Sequence, residues 1–257
     1  MPLNGNEMAK QTGPLKLSGT VGEVTFRQTE HGEVASQKSS LTKERVKTDP
    51  AFERSRVSSR AFKLGGIYAG VLRRAFLRLL KNHSDSRVTS RLTGKFMGMV
   101  MKDTGRAPME RQLVTSLLPS LKGFEYNKAQ TFSGIFPGVV KLAGNRQAGE
   151  WTVTIPAVET RAIKSAEGAK FYKISVGVAV LDFEGLKGLG KVQETEWIPL
   201  KAHKEGLKEL VFPITDAGSL PVFAVAAVSF ATESAGEIYP LMNKSFNAAV
   251  VAGVDVV

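Results

Sequence analysis

The stretch FYKISVGVAVLDF, residues 171–183, consists mainly of β-branched, aliphatic and aromatic residues and predicts one long β-strand. Gly, Pro, Asn and Asp separate it from similar stretches on both sides, and residues 131–257 show no helical period. This pattern predicts an antiparallel β-sandwich over residues 131–257, immunoglobulin-like in layout, although the Cys-Trp-Cys signature of antibody domains is missing. The predicted strands are Gly134–Leu142, Trp151–Ile155, Phe171–Phe183, Val192–Leu200, Lys208–Pro213, Val222–Thr232, Glu237–Met242 and Phe246–Val256.

The last of these strands lies in FNAAVVAGVDVV, residues 246–257, which is apolar almost to the end of the sequence. Such a strand either closes the sheet of its own chain or adds to the sheet edge of a neighbouring chain. Closing its own sheet is the commoner outcome, and both alternatives stay open at this point.

Residues 49–130 predict a small basic helical bundle. Asp49 is a good N-cap and Pro50 fits the first helical position. Gly65-Gly66 either breaks the following helix or, alternatively, Gly66 and Gly70 allow another backbone to approach closely. At 100° per residue one side of this helix is apolar, through Val57, Ala61, Leu64, Tyr68, Leu72, Ala75, Phe76 and Leu79.

Two further helices complete the predicted bundle. One begins at Ser84 or Asp85 and runs to about residue 103, with Val88, Leu92, Phe96 and Met99 on its apolar side. A short one covers Met109–Leu118 and stops at Pro119.

Residues 1–48 predict an N-terminal arm with a β-hairpin or a three-stranded meander, followed by a connector at residues 39–48. Apolar residues alternate with polar ones around Leu15, Leu17, Val24, Phe26 and Val34. A hairpin with so few apolar residues is marginal in water and needs a surface to pack on. The predicted fold class is therefore α+β, with an arm, a helical region at 49–130 and a sandwich domain at 131–257.

Charge is concentrated in the helical region. Residues 1–130 contain 23 Lys and Arg against 11 Asp and Glu, a net charge of +12, whereas residues 131–257 contain 12 against 13, a net charge of −1. Residues 54–111 alone contain 14 against 3. Such asymmetry indicates a polyanionic or acidic partner more strongly than the overall charge does.

The sequence contains no strong motif for a catalytic, metal-binding or phosphate-binding site. The three histidines, His31, His83 and His203, lie in no metal-ligand spacing, and the chain has no cysteine, so we expect no metal site and no thiol chemistry. Residues 185–191, GLKGLGK, match the phosphate-loop spacing, but Val192 replaces the magnesium-binding Ser or Thr and a strand follows in place of a helix. We interpret this segment as a loop between two strands. We predict no catalytic residues and no cofactor.

Three stretches, GTVGEVTFRQTEHGEVASQK, SDSRVTSRLT and LMNKSFNAAV, resemble a family of uncharacterised Bacteroidota proteins. That family has a Gly-rich N-terminal hairpin, Arg-rich helices and an all-β C-terminal part. The resemblance implies a bacterial source, or a phage or mobile element of such a host. It implies no activity and no site residues.

Two functions follow as hypotheses. The first is a non-enzymatic structural protein that self-associates into a filament, tube, shell or phage-like particle. The second is a nucleic-acid-binding or packaging protein that binds DNA or RNA through its helices. No small-molecule substrate is predicted, and without a signal-like or spanning apolar segment we expect a cytoplasmic protein. The self-association candidates are Val24, Phe26, Val34, Gly66, Gly70, Val250 and Val251, and the polyanion or acidic-partner candidates are Arg56, Arg60, Lys63, Arg74, Arg78, Lys81, Arg87, Arg91, Lys95 and Lys102.

Overall fold

The computed structural model describes residues 9–14, 16–30, 32–38, 41–201, 204–215, 217–242 and 246–257. Leu15, His31 and His203 lie outside these residues. The protein is 27% helical and 36% strand with antiparallel sheets, which confirms the α+β class. The chain divides into two compact units, Met1–Arg56 and Val57–Val257, and the predicted boundaries at residues 48 and 130 stay predictions.

The first unit contains a small antiparallel sheet, which we call the arm sheet. Its strands are β1 (Ala9–Lys10), β2 (Gly19–Val21), β3 (Val24–Thr29) and β4 (Gly32–Gln37), in the order β1-β4-β3-β2. The sequence predicted at most three strands, because two residues of β1 are too few to show an alternating pattern. Helix α1 (Lys43–Thr48), which begins where Thr42 Oγ1 accepts a hydrogen bond from Arg45 N, replaces most of the predicted connector.

Asp49 caps the next helical segment as predicted, since its carboxylate accepts a hydrogen bond from Ala51 N at 2.9 Å. A 3₁₀ turn (Pro50–Phe52) leads into α2 (Glu53–Ala75), which continues through Gly65-Gly66 without a break. The chain leaves the helix at Phe76 and forms α3 (Leu77–Leu80), and α4 (Val88–Met101) follows. The apolar side predicted for α4, from Val88 to Met99, is buried throughout.

Gly65 is the glycine that allows two backbones to approach closely, and both belong to this chain. A Cβ atom at position 65 would lie 2.7 Å from Thr93 O and 2.8 Å from Met97 N of α4. A Cβ atom at Gly66 would meet nothing within 4 Å. The close approach therefore joins α2 to α4.

The predicted third helix is wrong. Residues 109–114 are not helical, and a 3₁₀ helix (Thr115–Leu121) with Pro119 inside follows them. Side chains three residues apart lie on one side of a 3₁₀ helix, so Leu118 and Leu121 are both fully buried.

The second unit is built around a central six-stranded sheet. β8 and β13 form its middle, β9 and β10 flank β8, and β14 and β15 flank β13. A separate three-stranded sheet has the order β12-β6-β5, and β7 pairs with β11. The bounds are α5 (Phe132–Ile135), a 3₁₀ turn (Thr160–Ala162), β5 (Lys141–Asn145), β6 (Glu150–Ile155), β7 (Val158–Glu159), β8 (Phe171–Asp182), β9 (Lys187–Glu194), β10 (Ile198–Pro199), β11 (Lys204–Glu205), β12 (Lys208–Pro213), β13 (Val222–Ser234), β14 (Glu237–Pro240) and β15 (Ala248–Asp255).

Both faces of the central sheet are covered. Even-numbered residues of β8, such as Ile174 and Val176, share a core with Trp151 and Phe212 of the three-stranded sheet. Odd-numbered residues, such as Leu181, share a second core with helices α2, α3 and α4. Successive strand residues point to opposite faces, so a strand covered on both sides is apolar at nearly every position, as β8 is.

The immunoglobulin-like sandwich is not confirmed. The antiparallel sheets include a curled half-barrel, and helices cover the face that would be exposed in a sandwich of two sheets. At the seam of the sheets Lys191 Nζ donates to Pro213 O at 2.7 Å and Gln193 Nε2 donates to Val211 O at 2.6 Å. Side chains, in place of a strand ladder, therefore link β9 to β12.

The predicted strands have mixed outcomes. Six are confirmed, whereas Gly134–Leu142 is mostly wrong, because α5 and a coil precede β5. Val192–Leu200 covers only the end of β9 and the short β10. The last strand closes its own sheet, since β15 pairs with β13 on one edge and with residues 123–126 on the other.

A polar pocket and the basic helical residues

Seven of the ten predicted basic candidates are exposed and form no ion pair with any described residue. We call them the exposed cations: Lys63, Arg74, Arg78, Lys81, Arg87, Lys95 and Lys102. They lie on α2, α3 and α4 or on the turns beside these helices. Unpaired exposed cations remain available to phosphate groups or to an acidic protein surface.

The other three basic candidates are engaged in the fold. Arg56 Nη1 donates to Val46 O at 2.9 Å and to Asp49 O at 2.8 Å, at the end of α1. Arg91 forms an ion pair of 2.6 Å with Asp85, donates to Glu125 O at 2.7 Å and lies over the Phe124 ring. The Nε atom of Arg60 is buried. These three side chains are therefore less accessible to a partner than the exposed cations.

The self-association candidates are divided between surface and core. In the arm sheet Val24 is exposed, Phe26 is half-buried and Val34 is buried. Gly66 has open space where a side chain would be, whereas Gly70 lies beside the Arg74 guanidinium. Val250 and Val251 are buried inside their own sheet. A role for these residues in self-association stays a prediction.

A cluster of polar side chains that was not predicted from the sequence lies on the helix-side face of the central sheet. Lys173 of β8 pairs in register with Ser229 of β13, and Ser175 pairs with Glu194 of β9. Asn247 immediately precedes β15, whose first residue pairs with Val228. Residues in register on one face of a sheet are neighbours, so the polar side chains on or next to these four strands lie close together.

His83 lies in the turn after α3 and contacts this cluster. Its Nδ1 lies 2.6 Å from Leu79 O and its Nε2 lies 2.8 Å from Ser229 Oγ. A carbonyl oxygen can only accept, so Nδ1 carries the proton and Nε2 accepts from the Ser229 hydroxyl. Burial lowers the pKa of His83 below its ordinary value of 6.5, which favours the neutral ring.

A second set of hydrogen bonds is centred on Glu194. Lys173 Nζ donates to the Glu194 carboxylate and lies 4.8 Å from the centre of the Trp197 ring, and Ser175 Oγ donates to the carboxylate at 3.0 Å. The hydrogen bond from Lys173 is the main cause that lowers the pKa of Glu194. The carboxylate is therefore ionised and balances the ammonium of Lys173.

These residues line a cavity of about 240 Å³, which we call the polar pocket, defined by His83, Lys173, Ser175, Glu194, Ser229 and Asn247. Asn247 is 3% exposed, and its Oδ1 is buried without a hydrogen-bond partner among the described residues. Its Nδ2 donates to Leu241 O at 3.3 Å. A buried unpaired acceptor is costly in a folded protein, so a ligand that donates a hydrogen bond to it would gain binding energy.

A larger cleft of about 530 Å³ lies at the seam between β9 and β12 and is mainly apolar, with Leu189 and Ile214 in its wall. Two of its polar side chains, Asp182 and Lys191, already have structural partners. Asp182 accepts from Glu184 N and Gly185 N in the turn, and Lys191 binds Pro213 O. The polar pocket is smaller, but in it the Ser229 hydroxyl lies within hydrogen-bond distance of the His83 ring.

The segment that matches the phosphate-loop spacing is a β-hairpin. Phe183–Leu186 form the turn, where Leu186 has φ of 56°, and Lys187–Glu194 form β9. No helix N-terminus follows the Lys191 position, so the backbone does not form the anion site of a phosphate loop. The predicted loop between strands is thus mostly strand.

The geometry describes an α+β protein with an exposed basic helical surface and a polar pocket built from four strands and one turn. Neither a scan against models of protein families nor a search of curated proteins finds a match to this chain. The resemblance to a Bacteroidota family stays a prediction. Among the described residues, no three His, Asp or Glu side chains form a group that could hold a metal ion. Likewise, none of the helices described combines the length and hydropathy needed to cross a membrane.

Proposed function

We propose that the protein is a structural subunit that self-associates into a larger assembly through its arm sheet. The observation that carries this proposal is the exposure of the sheet's apolar residues. Among the described apolar residues of the arm sheet, Val34 is buried, whereas Val21 and Val24 are exposed, Val21 by 67%. A sheet gains its stability by covering an apolar face, so this sheet is expected to find cover on another chain.

The edges of the arm sheet support the same proposal. β2 is an edge strand, and unpaired edge groups of a strand can pair with a strand of another molecule. The terminal strand β15 is a weaker candidate, because both of its edges are occupied within the chain. We therefore assign self-association to Val21, Val24 and Phe26 of the arm in preference to Val250 and Val251.

Replacing Val21 by Glu and Val24 by Lys in one chain should reduce the assembly to the 27.8 kDa monomer. Val21 and Val24 are directly opposite in register, so an opposite-charge pair keeps the hairpin while it removes apolar surface. Light scattering after size-exclusion chromatography measures the mass, and electron microscopy shows the assembly.

The matched control places the same two substitutions at Val139 and Val211, which are exposed outside the arm. The control should keep the mass of the unmodified protein. A monomeric unmodified protein at high micromolar concentration would contradict self-association, and an unchanged mass of the arm variant would contradict the role of the arm.

A second candidate function is binding of a nucleic acid, and the exposed cations are the observation that favours it. Replacing Arg74, Arg78 and Lys81 by Gln should lower DNA or RNA affinity and reduce the slope of log affinity against log salt by about 3 if each contacts one phosphate. Fluorescence anisotropy across a salt series measures both quantities. Replacing the exposed Lys141, Lys164 and Lys187 by Gln removes the same charge elsewhere and should leave the slope unchanged. Absence of binding at low salt would reject this candidate.

A further inference from the structure

We propose that Ser229 and His83 form a nucleophile–base pair for acyl transfer and that the polar pocket hydrolyses a short-chain carboxylic ester. This activity is independent of the proposed self-association, because it uses residues of the second unit only.

The pair has the hydrogen-bond arrangement that such a nucleophile requires. Ser229 Oγ donates to His83 Nε2 at 2.8 Å, and His83 Nδ1 is held by Leu79 O at 2.6 Å. A base oriented by a third group, and within hydrogen-bond reach of a hydroxyl, is the general signature of an activated nucleophile. Both side chains also line the cavity, so a substrate in the pocket would meet the hydroxyl oxygen.

The reaction balances with water as the second substrate. Ser229 Oγ attacks the ester carbonyl carbon while its proton passes to His83 Nε2, which then protonates the departing alcohol oxygen. Water attacks the acyl-serine next, gives one proton to Nε2, and the carboxylic acid leaves as Ser229 regains a proton. His83 is unchanged at the end of the cycle.

Lys173 is placed to stabilise the negative charge that develops on the carbonyl oxygen. It is the cross-strand neighbour of Ser229 on the same face of the sheet. An ammonium group has three N–H donors, and the Glu194 carboxylate is the hydrogen-bond acceptor that the structure gives it. Fixed positive charge near a developing oxyanion lowers the barrier to acyl transfer.

The size and polarity of the pocket limit the substrate. A cavity of about 240 Å³ is smaller than the usual range for drug-sized ligands, so it suits a short acyl group on a small alcohol. The exposed Arg78 at the same cavity adds positive charge at the mouth.

A fluorophosphonate probe tests the nucleophile directly, because such probes phosphonylate activated serine hydroxyls. The full chain, incubated with the probe, should gain one equivalent on Ser229, as measured by intact mass and peptide mapping. Ser229→Ala should abolish the label, and His83→Gln should slow it by about 10²-fold or more. Ser120→Ala, at an exposed serine outside the pocket, is the matched control and should keep the rate.

The pH profile of the unmodified protein separates a catalytic pair from a structural hydrogen bond and does not depend on a variant that folds. The labelling rate should rise with pH as His83 loses its proton, with a midpoint below 6.5 because burial lowers its pKa. Glu194, Lys173 and Arg78 are the charged groups around the ring in the pocket. A label that is absent from Ser229, that persists at full rate in His83→Gln, or whose rate does not depend on pH between 4 and 8 would overturn the proposal.

Discussion

Replacing Gly65 by Ala should lower the free energy of unfolding by about 2 kcal/mol, the range expected when one methyl group is forced into closely packed structure. The new Cβ atom would lie 2.7 Å from Thr93 O and 2.8 Å from Met97 N, and both are backbone atoms of α4. A backbone cannot rotate away as a flexible side chain can, so α2 and α4 must separate. Separation would loosen the contacts of buried Leu72 and Phe96, which share the helix-side core.

Gly66→Ala is the matched control, one residue along the same helix. No atom lies within 4 Å of the position of its new methyl group, and alanine is the better helix former. This variant should raise the free energy of unfolding by about 0.5–1 kcal/mol. Urea unfolding followed by circular dichroism measures both variants. Equal effects of the two substitutions would contradict the close approach of α2 and α4 at Gly65.

The sequence predicted those helices and strands whose apolar residues repeat at a regular spacing within one segment of the chain. The stripe from Val57 to Leu79 was predicted because a helix with one buried side repeats its apolar residues every three or four positions. The short helix after Met109 was wrong because three-residue spacing also fits a 3₁₀ helix. Gly66 and Gly70 were predicted to allow a close approach, but the helix positions show that Gly65 makes it, since the sequence does not say which glycine faces the neighbouring helix.

The arrangement of layers could not be predicted in the same way. Both the even-numbered and the odd-numbered positions of β8 are mainly apolar, which indicates a strand covered on both faces. This pattern does not say which elements cover it. The helices cover one face because α2, α3 and α4 bury their stripes against it. In the predicted helical bundle these stripes would pack on one another, and one face of the sheet would then be exposed.

The polar pocket was missed because its residues come from distant parts of the sequence. His83 and Ser229 are 146 positions apart, and no spacing rule joins them. A signal was present, however, since Lys173, Ser175 and Ser229 each interrupt a strand that is otherwise apolar. Only the register between β8 and β13 shows that Lys173 and Ser229 are neighbours.

Replacing Phe76 by Ala should lower the free energy of unfolding by about 3–5 kcal/mol, the usual cost of removing a buried aromatic ring. Phe76 is 1% exposed and lies where α2 ends and α3 begins. Its ring packs on Gly177 of β8, where a Cβ atom would lie 2.8 Å from Phe76 Cδ1 and 3.5 Å from Leu79 Cδ1. The Phe76 ring therefore occupies the space that a side chain at position 177 would need.

A double-mutant cycle tests this arrangement. Gly177→Ala alone should cost about 1–3 kcal/mol, because the new methyl group overlaps the ring. In the double variant the methyl group meets the space that the ring has left, so the total cost should be smaller than the sum of the single costs by at least about 1 kcal/mol. Urea unfolding monitored by the fluorescence of Trp151 and Trp197 measures all four proteins.

The same contact also positions the polar pocket. Leu79 lies against Gly177 beside Phe76, and its carbonyl oxygen accepts the hydrogen bond that fixes the His83 ring. Phe76→Ala should therefore slow the labelling of Ser229 even under conditions where the variant remains folded, whereas Gly66→Ala should not. Additive costs in the cycle, together with an unchanged labelling rate in folded Phe76→Ala, would show that the ring fills space without setting the position of α3.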